Sequence, residues 1–312
     1  NLSRNKAKNV NFDVPAYEIT KLNSQVLNIS YELEKVKFDS TTTHKKTDFD
    51  GEYDSDNYAN NFNDGLRQWN YTDIDTWSQE FKLSSKNQDI KWITGLYFDK
   101  EDRKQSPYGG EQLYYGGTYY SNVDSDTDSK TQAIFGQVMI PFLEDFELTL
   151  GGRYQKIQKE MNANAEYILT GTGMFDFTNR FPYSDKKTWN EFLPKVALSY
   201  KINENLSTYV SVSKGYMPGG FNYFPQTPNS NNNTFDPQTS LNYEIGAKYI
   251  GDNFALNTSI FRMDMKDLHV YYINAANSFT TDNVEKGHSQ GVELDGTYFI
   301  TDNLSLSGAV GL

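Results

Sequence analysis

The chain has no cysteine, only three histidines and only nine prolines in 312 residues. Without cysteine there is no disulfide framework and no thiolate metal site. His44, His269 and His288 fall at no metal-ligand spacing, which argues against zinc. Long hydrophobic runs are also missing. Mean hydropathy is -0.71, and no segment approaches the ~20 apolar residues of a membrane-spanning helix. That excludes a helical membrane protein but leaves a β-barrel open, because barrel strands show only alternate residues to lipid. Positive charge is in deficit, with 29 Lys and Arg against 41 Asp and Glu, a net charge of -12. Nucleic acid demands a basic surface, so it is not the partner. Much of the acidity is local: Asp48, Asp50, Glu52, Asp54, Asp56 and Asp64 face Arg67 alone across 47–70. No signal peptide is visible after Asn1, so in an exported protein this is not the translated N-terminus.

Tyrosine (23), glycine (22) and phenylalanine (20) are plentiful, and they punctuate a rhythm. Six short turns recur: Leu33-Glu34-Lys35-Val36, Ser84 to Asp89, Pro141 to Phe146, Lys201 to Leu206, Ile250 to Phe254 and Ile300 to Leu304. Between them lie long polar stretches, roughly 49–69, 104–129, 159–187, 215–240 and 270–287. The segments flanking each turn alternate apolar and polar residues. In 241–249, Leu241, Tyr243, Ile245, Ala247 and Tyr249 oppose Asn242, Glu244, Gly246 and Lys248. In 292–300, Val292, Leu294, Tyr298 and Ile300 oppose Glu293, Asp295 and Thr297. Successive side chains of a strand point to opposite faces, so each segment has one apolar and one polar wall.

A sheet over a soluble core, as in a sandwich or propeller, and a barrel between lipid and water both produce that pattern. Three features favour the barrel. Phe146 to Glu160 and Phe254 to Val270 exceed the usual ~5–6 residues of a strand. The polar walls carry Glu244, Lys248, Glu293 and Arg153, suited to a wet lumen. Phe142, Phe146, Tyr200, Tyr249, Phe254 and Tyr298 cluster beside the short turns, where an interfacial girdle lies. The expected fold is all-β, an antiparallel transmembrane β-barrel with about twelve strands here, short turns periplasmic and long loops outside. The last strand breaks off at Leu312, so 1–312 is expected to be a partial barrel domain of a longer protein, since an open edge cannot face lipid.

Several stretches resemble the barrel of TonB-dependent outer-membrane receptors, importers of ferric siderophores and similar scarce nutrients. They are 78–84 (SQEFKLS) with 92–98 (WITGLYF), and Ile134-Phe135-Gly136-Gln137 leading into Leu150-Gly151-Gly152-Arg153-Tyr154. The most specific is 209–222 (YVSVSKGYMPGGFN), followed by 242–248 (NYEIGAK), 261–268 (FRMDMKDL) and 289–294 (SQGVEL). The order and spacing over about 80–312 carry the likeness, while 1–79 match loosely. The resemblance implies a 22-stranded plugged barrel in the bacterial outer membrane. It also implies a siderophore-like ligand, lipid and lipopolysaccharide around the wall, and energy from the TonB system through a plug. The plug and the final strands have no counterpart here. Passive diffusion through a porin-like channel is an alternative.

Some motifs carry chemistry of their own. Gly287-His288-Ser289-Gln290-Gly291 fits G-x-S-x-G, the basis of an outer-membrane hydrolase reading. It runs straight into a strand, however, where a nucleophile elbow needs a following helix. No catalytic residue, metal or cofactor is therefore expected. The runs 48–56 (DFDGEYDSD) and 124–128 (DSDTD) gather hard oxygen ligands but miss the calcium-loop signature, and read first as solvated acidic loops. Calcium, or divalent bridging to lipopolysaccharide, is the other reading. The Tyr/Gly-rich stretch 108–120 offers Tyr108, Tyr114, Tyr115, Tyr119 and Tyr120 as broad amphipathic contacts for a bulky chelate, or as rings packed on their neighbours. At 216–222, Pro218, Gly219 and Gly220 turn the chain off the strand top, the glycines free to take positive φ, while Tyr216 and Phe221 are candidate rim contacts.

Overall fold

A computed structural model describes residues 14, 16–54, 66–86, 89–114, 116–173, 175–228, 233–273 and 279–312. The strands are β1 (Tyr17–Glu32), β2 (Val36–Asp54), β3 (Arg67–Ser85), β4 (Lys91–Tyr114), β5 (Gly117–Phe142), β6 (Phe146–Thr170) and β7 (Phe177–Lys201). They continue as β8 (Leu206–Met217), β9 (Gly220–Phe221), β10 (Thr234–Phe235), β11 (Gln238–Ile250), β12 (Phe254–Ile273), β13 (Phe279–Thr301) and β14 (Leu304–Gly311). Twelve form one sheet in sequence order, with β8 pairing directly to β11 because β9 and β10 make a separate hairpin. Every pairing is antiparallel.

All six short turns join successive strands of the sheet. At the β5–β6 turn Leu143 and Glu144 take positive φ (46° and 40°), the left-handed geometry of tight hairpins. Rings stack beside it, Phe142 on Phe146 at 5.5 Å and Phe146 on Tyr200 at 4.6 Å. Register then builds the two walls. Val210, Ile245, Ile260 and Val292 are direct cross-strand neighbours, and all four are exposed. One residue along, Glu244 faces Ser211 and Phe261 on the other wall and accepts a hydrogen bond from the Tyr209 hydroxyl. A continuous exposed apolar wall backed by a polar one is the cross-section of a membrane barrel.

The long stretches at 104–129 and 159–187 are not loops, contrary to the sequence expectation. β4 and β5 stay paired up to Tyr114 and Gly117, and β6 and β7 up to Leu169 and Phe177. Most of 270–287 is strand as well. Above the bilayer neither face meets lipid, so the apolar alternation disappears while the ladder continues. A crossing needs only about ten tilted residues, whereas β5 has 26. Of the excursion between β8 and β11, the described parts 218–228 and 233–237 do leave the sheet and fold inward.

Candidate functional site

The site lies on the interior wall of the sheet's extracellular half. Low on β4, Gln105 pairs with the buried Ser125 of β5; above, Tyr108 pairs with the buried Val123, a register shift of one residue. Such a bulge reverses which residues of a strand face inward, so Tyr108 points to the interior although Ser106, also even-numbered, does not. Pro107 lies within the bulge, where no ladder N–H is required.

Around the level of this bulge, β5, β6 and β7 present Val123, Met161, Ala163, Ala165, Tyr167, Phe181 and Tyr183 as one buried cluster. The excursion, here called the strap, docks on it. Phe221 enters the cluster edge-on to Tyr183, with centroids 6.4 Å apart. Tyr223 and Phe224 lie against Tyr108 at 6.1 and 4.8 Å. The Tyr167 hydroxyl donates to the Pro225 carbonyl at 2.8 Å. The other side of the strap is fastened to β12 and β13. The Asn222 amide imitates a strand residue, donating to Thr281 O at 3.0 Å and accepting from Thr281 N–H at 2.6 Å. Asn283 accepts from Asp236 N–H at 2.7 Å and donates to Asp236 O at 2.9 Å. Gly219 and Gly220 are needed for proximity, not for positive φ. A Cβ on Gly219 would lie 2.4 Å from Phe235 O, and one on Gly220 2.6 Å from the Phe235 ring.

Between strap and wall lies a cavity of about 410 Å³, lined by rings of Tyr53, Tyr108, Tyr119, Tyr167, Phe224 and Tyr271. Burial pushes the Tyr108 and Tyr119 phenols above their ordinary value. It pushes Tyr167 up further, and Tyr183 to about 12. These phenols are therefore protonated at neutral pH. They can donate hydrogen bonds and offer ring faces, and they are poor direct ligands for a metal.

Of the sequence candidates, Tyr108 and Tyr119 line this cavity. Tyr120 alternates to the opposite wall, 5.7 Å from Trp69. Tyr114 ends β4, and Tyr115 lies outside the described residues. Tyr216 pairs with Thr239, its buried hydroxyl without a hydrogen-bond partner among the described residues. Phe221 is an 8% exposed anchor of the strap. Tyr53, Tyr167, Phe224 and Tyr271 were not singled out from sequence. The run Ala163-Asn164-Ala165-Glu166-Tyr167 did carry a period-two signal for one of them. Among the described residues no group of three or more His, Asp or Glu could hold a metal. Asp124, Asp126 and Asp128 lie along extended β5, where alternate carboxylates spread in a line. Ser289 sits mid-strand in β13 opposite Met263, so no nucleophile elbow forms.

A lipid-facing wall, a polar interior and an inward strap over an aromatic cavity define a membrane-barrel sheet with a candidate site on its interior face. The family model described as TonB dependent receptor-like, beta-barrel matches residues 2–311, and the chain belongs to that family. Its members are outer-membrane β-barrels of Gram-negative bacteria. The chain is 24% identical to the pesticin receptor of Yersinia enterocolitica over 208 residues, 66% of this chain and 28% of that protein. It is 25% identical to the probable TonB-dependent siderophore receptor PiuA of Acinetobacter baumannii over 224 residues, 69% of this chain and 28% of that one. The fold matches the crystal structure of the ferric yersiniabactin uptake receptor FyuA of Yersinia pestis with a TM-score of 0.75 at 18% identity, covering 95% of this chain and 43% of that one. The chain thus spans less than a third of the length of these two sequence relatives.

Proposed function

We propose that this chain forms part of the barrel wall of a receptor that imports a ferric siderophore or a similar scarce nutrient with energy supplied through TonB. The observation that carries it is the ring-lined cavity under the strap, placed in the extracellular half of a sheet of this family. A chelate arrives with its metal already coordinated, so its receptor needs shape, ring faces and hydrogen-bond donors, which protonated tyrosines supply. The names of the relatives, a pesticin receptor and a probable siderophore receptor, support the same ligand class. Seven tyrosine and phenylalanine positions are candidates from the sequence, Tyr108, Tyr114, Tyr115, Tyr119, Tyr120, Tyr216 and Phe221; in this reading Tyr120 on the opposite wall and the strap anchor Phe221 are not primary contacts. Tyr108 and Tyr119 are the strongest of them, because their rings border the cavity.

The test is radioiron uptake by iron-starved cells of the source bacterium, with and without the parent gene, offered a panel of ferric chelates. Import predicts that deletion abolishes uptake of at least one chelate, and that removing TonB does the same. Uptake that survives loss of TonB would favour a porin-like channel instead. Unchanged uptake of every chelate, cobalamin and haem after deletion would defeat the proposal.

A further inference from the structure

Below the aromatic cavity, nearer the bilayer, β4–β6 and the strap enclose a second space of about 350 Å³. Small-molecule sites begin at roughly this size. Its wall is polar: Thr127, Ser129 and Thr131 alternate on β5 beside Asp99, Glu101, Arg103 and Lys159, with Phe221 and Phe235 of the strap overhead. Most of these charges are already engaged. Asp99 accepts from the Thr131 N–H at 2.9 Å, and Arg103 Nε lies 3.5 Å from Glu101 Oε1. Lys159 makes no ion pair or hydrogen bond among the described residues, and Glu101, the carboxylate acting on it through space, is held by Arg103.

Register sharpens the point. Lys159 sits between Ser129 on one side and Lys187 directly opposite on the other. Lys187 is paired with Asp185, Nζ to Oδ2 at 3.6 Å, so that carboxylate is committed to Lys187 rather than to Lys159, and a half-buried ammonium loses hydration unless an anion replaces it. Burial pulls the Lys159 amine below the ordinary lysine value, with Arg103 adding to the effect and Glu101 opposing it. Its neighbours thus leave it short of negative charge.

We infer that Lys159, with the Ser129 hydroxyl and Arg103 beside it, forms an oxyanion subsite that takes an anionic oxygen of the imported chelate, a carboxylate or catecholate, beneath the strap. The inference rests on the import reading and narrows it to anionic chelates. The acidic exterior does not contradict it. Asp75, Asp102, Asp128 and Glu160 are cross-strand neighbours in one row on the opposite wall, whereas Lys159 faces inward.

The experiment measures equilibrium binding of radioiron chelates to the purified full-length receptor. The probes are an anionic ferric tris-catecholate, ferric citrate and a neutral ferric tris-hydroxamate. The expected result is a preference of about tenfold or more for at least one anionic probe over the neutral one. Lys159→Met should remove that preference, Lys159→Arg should keep it, and higher salt should weaken it. Lys159→Gln replaces the Met variant if that one does not assemble into a heat-modifiable barrel. Equal binding of neutral and anionic probes, a preference that survives loss of the amine, or no binding of either anionic probe overturns the subsite. Uptake of the neutral chelate alone by cells would leave import standing while removing this inference.

Discussion

Replacing Phe221 by alanine should release the strap while leaving the barrel intact. Phe221 is 8% exposed and packs in a cluster with Met161, Ala163, Ala165 and Tyr183. Buried Phe→Ala changes cost about 3–5 kcal/mol. The lower figure applies here, because the site lies at the end of a segment that can relax. The strap keeps its other fastenings, chiefly the Asn222–Thr281 amide pair and the Tyr167–Pro225 bond. A loss of about 3 kcal/mol raises the opening equilibrium roughly a hundredfold. Hydrogen exchange of the full-length receptor reads it directly, since Asn222 N–H is bonded to Asn233 O at 2.8 Å and Thr281 N–H to the Asn222 side chain. Peptides covering 219–225 and 279–283 should exchange about a hundred times faster, with β6 and β7 near their short turns unchanged. Tyr167→Phe, which removes one hydrogen bond worth about 1 kcal/mol, should accelerate the same peptides only about fivefold. A Phe221→Ala change below about fivefold would refute the anchoring argument. Reduced chelate affinity with unaltered exchange would instead make Phe221 a direct ligand contact.

Two further predictions test orientation and charge. Ile245→Arg places a cation on the exposed apolar wall between Val210 and Ile260 and should cost about 2–4 kcal/mol, whereas Glu244→Gln on the interior wall should cost far less. Urea titration of folding into bilayers separates them, and equal costs would refute the assignment of faces. Asp128, above the bilayer, has its carboxyl pushed up, first by the hydrogen bond it shares with Asp102 and then by burial. A raised carboxyl favours the native state below the unfolded value of 3.8 and loses that contribution as pH rises through the native value. Asp128→Asn should therefore stabilise slightly at pH 7.5, by well under about 1 kcal/mol, with the gain vanishing near pH 3.5. A gain that grows on acidification would reverse the argument.

The part of the fold that meets lipid was legible in the sequence, because a bilayer imposes a strict period of two. Ile245, Val292 and their neighbours alternate for that reason, and the six turns could be placed between them. Beyond the bilayer the constraint lapses. In β5 the outward Asp126, Asp128 and Lys130 alternate with the inward Thr127, Ser129 and Thr131, all of them polar, so a regular strand reads as a loop. The aromatic cavity was half legible. The Tyr/Gly-rich stretch pointed to Tyr108 and Tyr119, but a one-residue bulge decides that Tyr108 faces inward. Tyr53 and Tyr271 meet there only because the sheet curls. Phe221 read as a rim residue because its turn leaves the strand top; burial follows from the strap folding back onto Ala163 and Ala165, whose small side chains leave room for a ring.

The strap also ties the two cavities together. Tyr223 and Phe224 are consecutive and both rest on the Tyr108 ring, yet Phe224 borders the upper space and Tyr223 the lower. Tyr108 and these two rings therefore form the partition between a phenol-lined chamber and a chamber with an unpaired lysine. On the import reading a chelate is gripped first by ring faces, which tolerate many shapes, and afterwards by a charge, which discriminates. Tyr223 and Phe224 lie where the two spaces approach each other. Both follow Asn222 in the chain, and Asn222 is clamped to the backbone of β13. The strap is thus fastened on the side of β12 and β13 and loaded on the side of β5–β7.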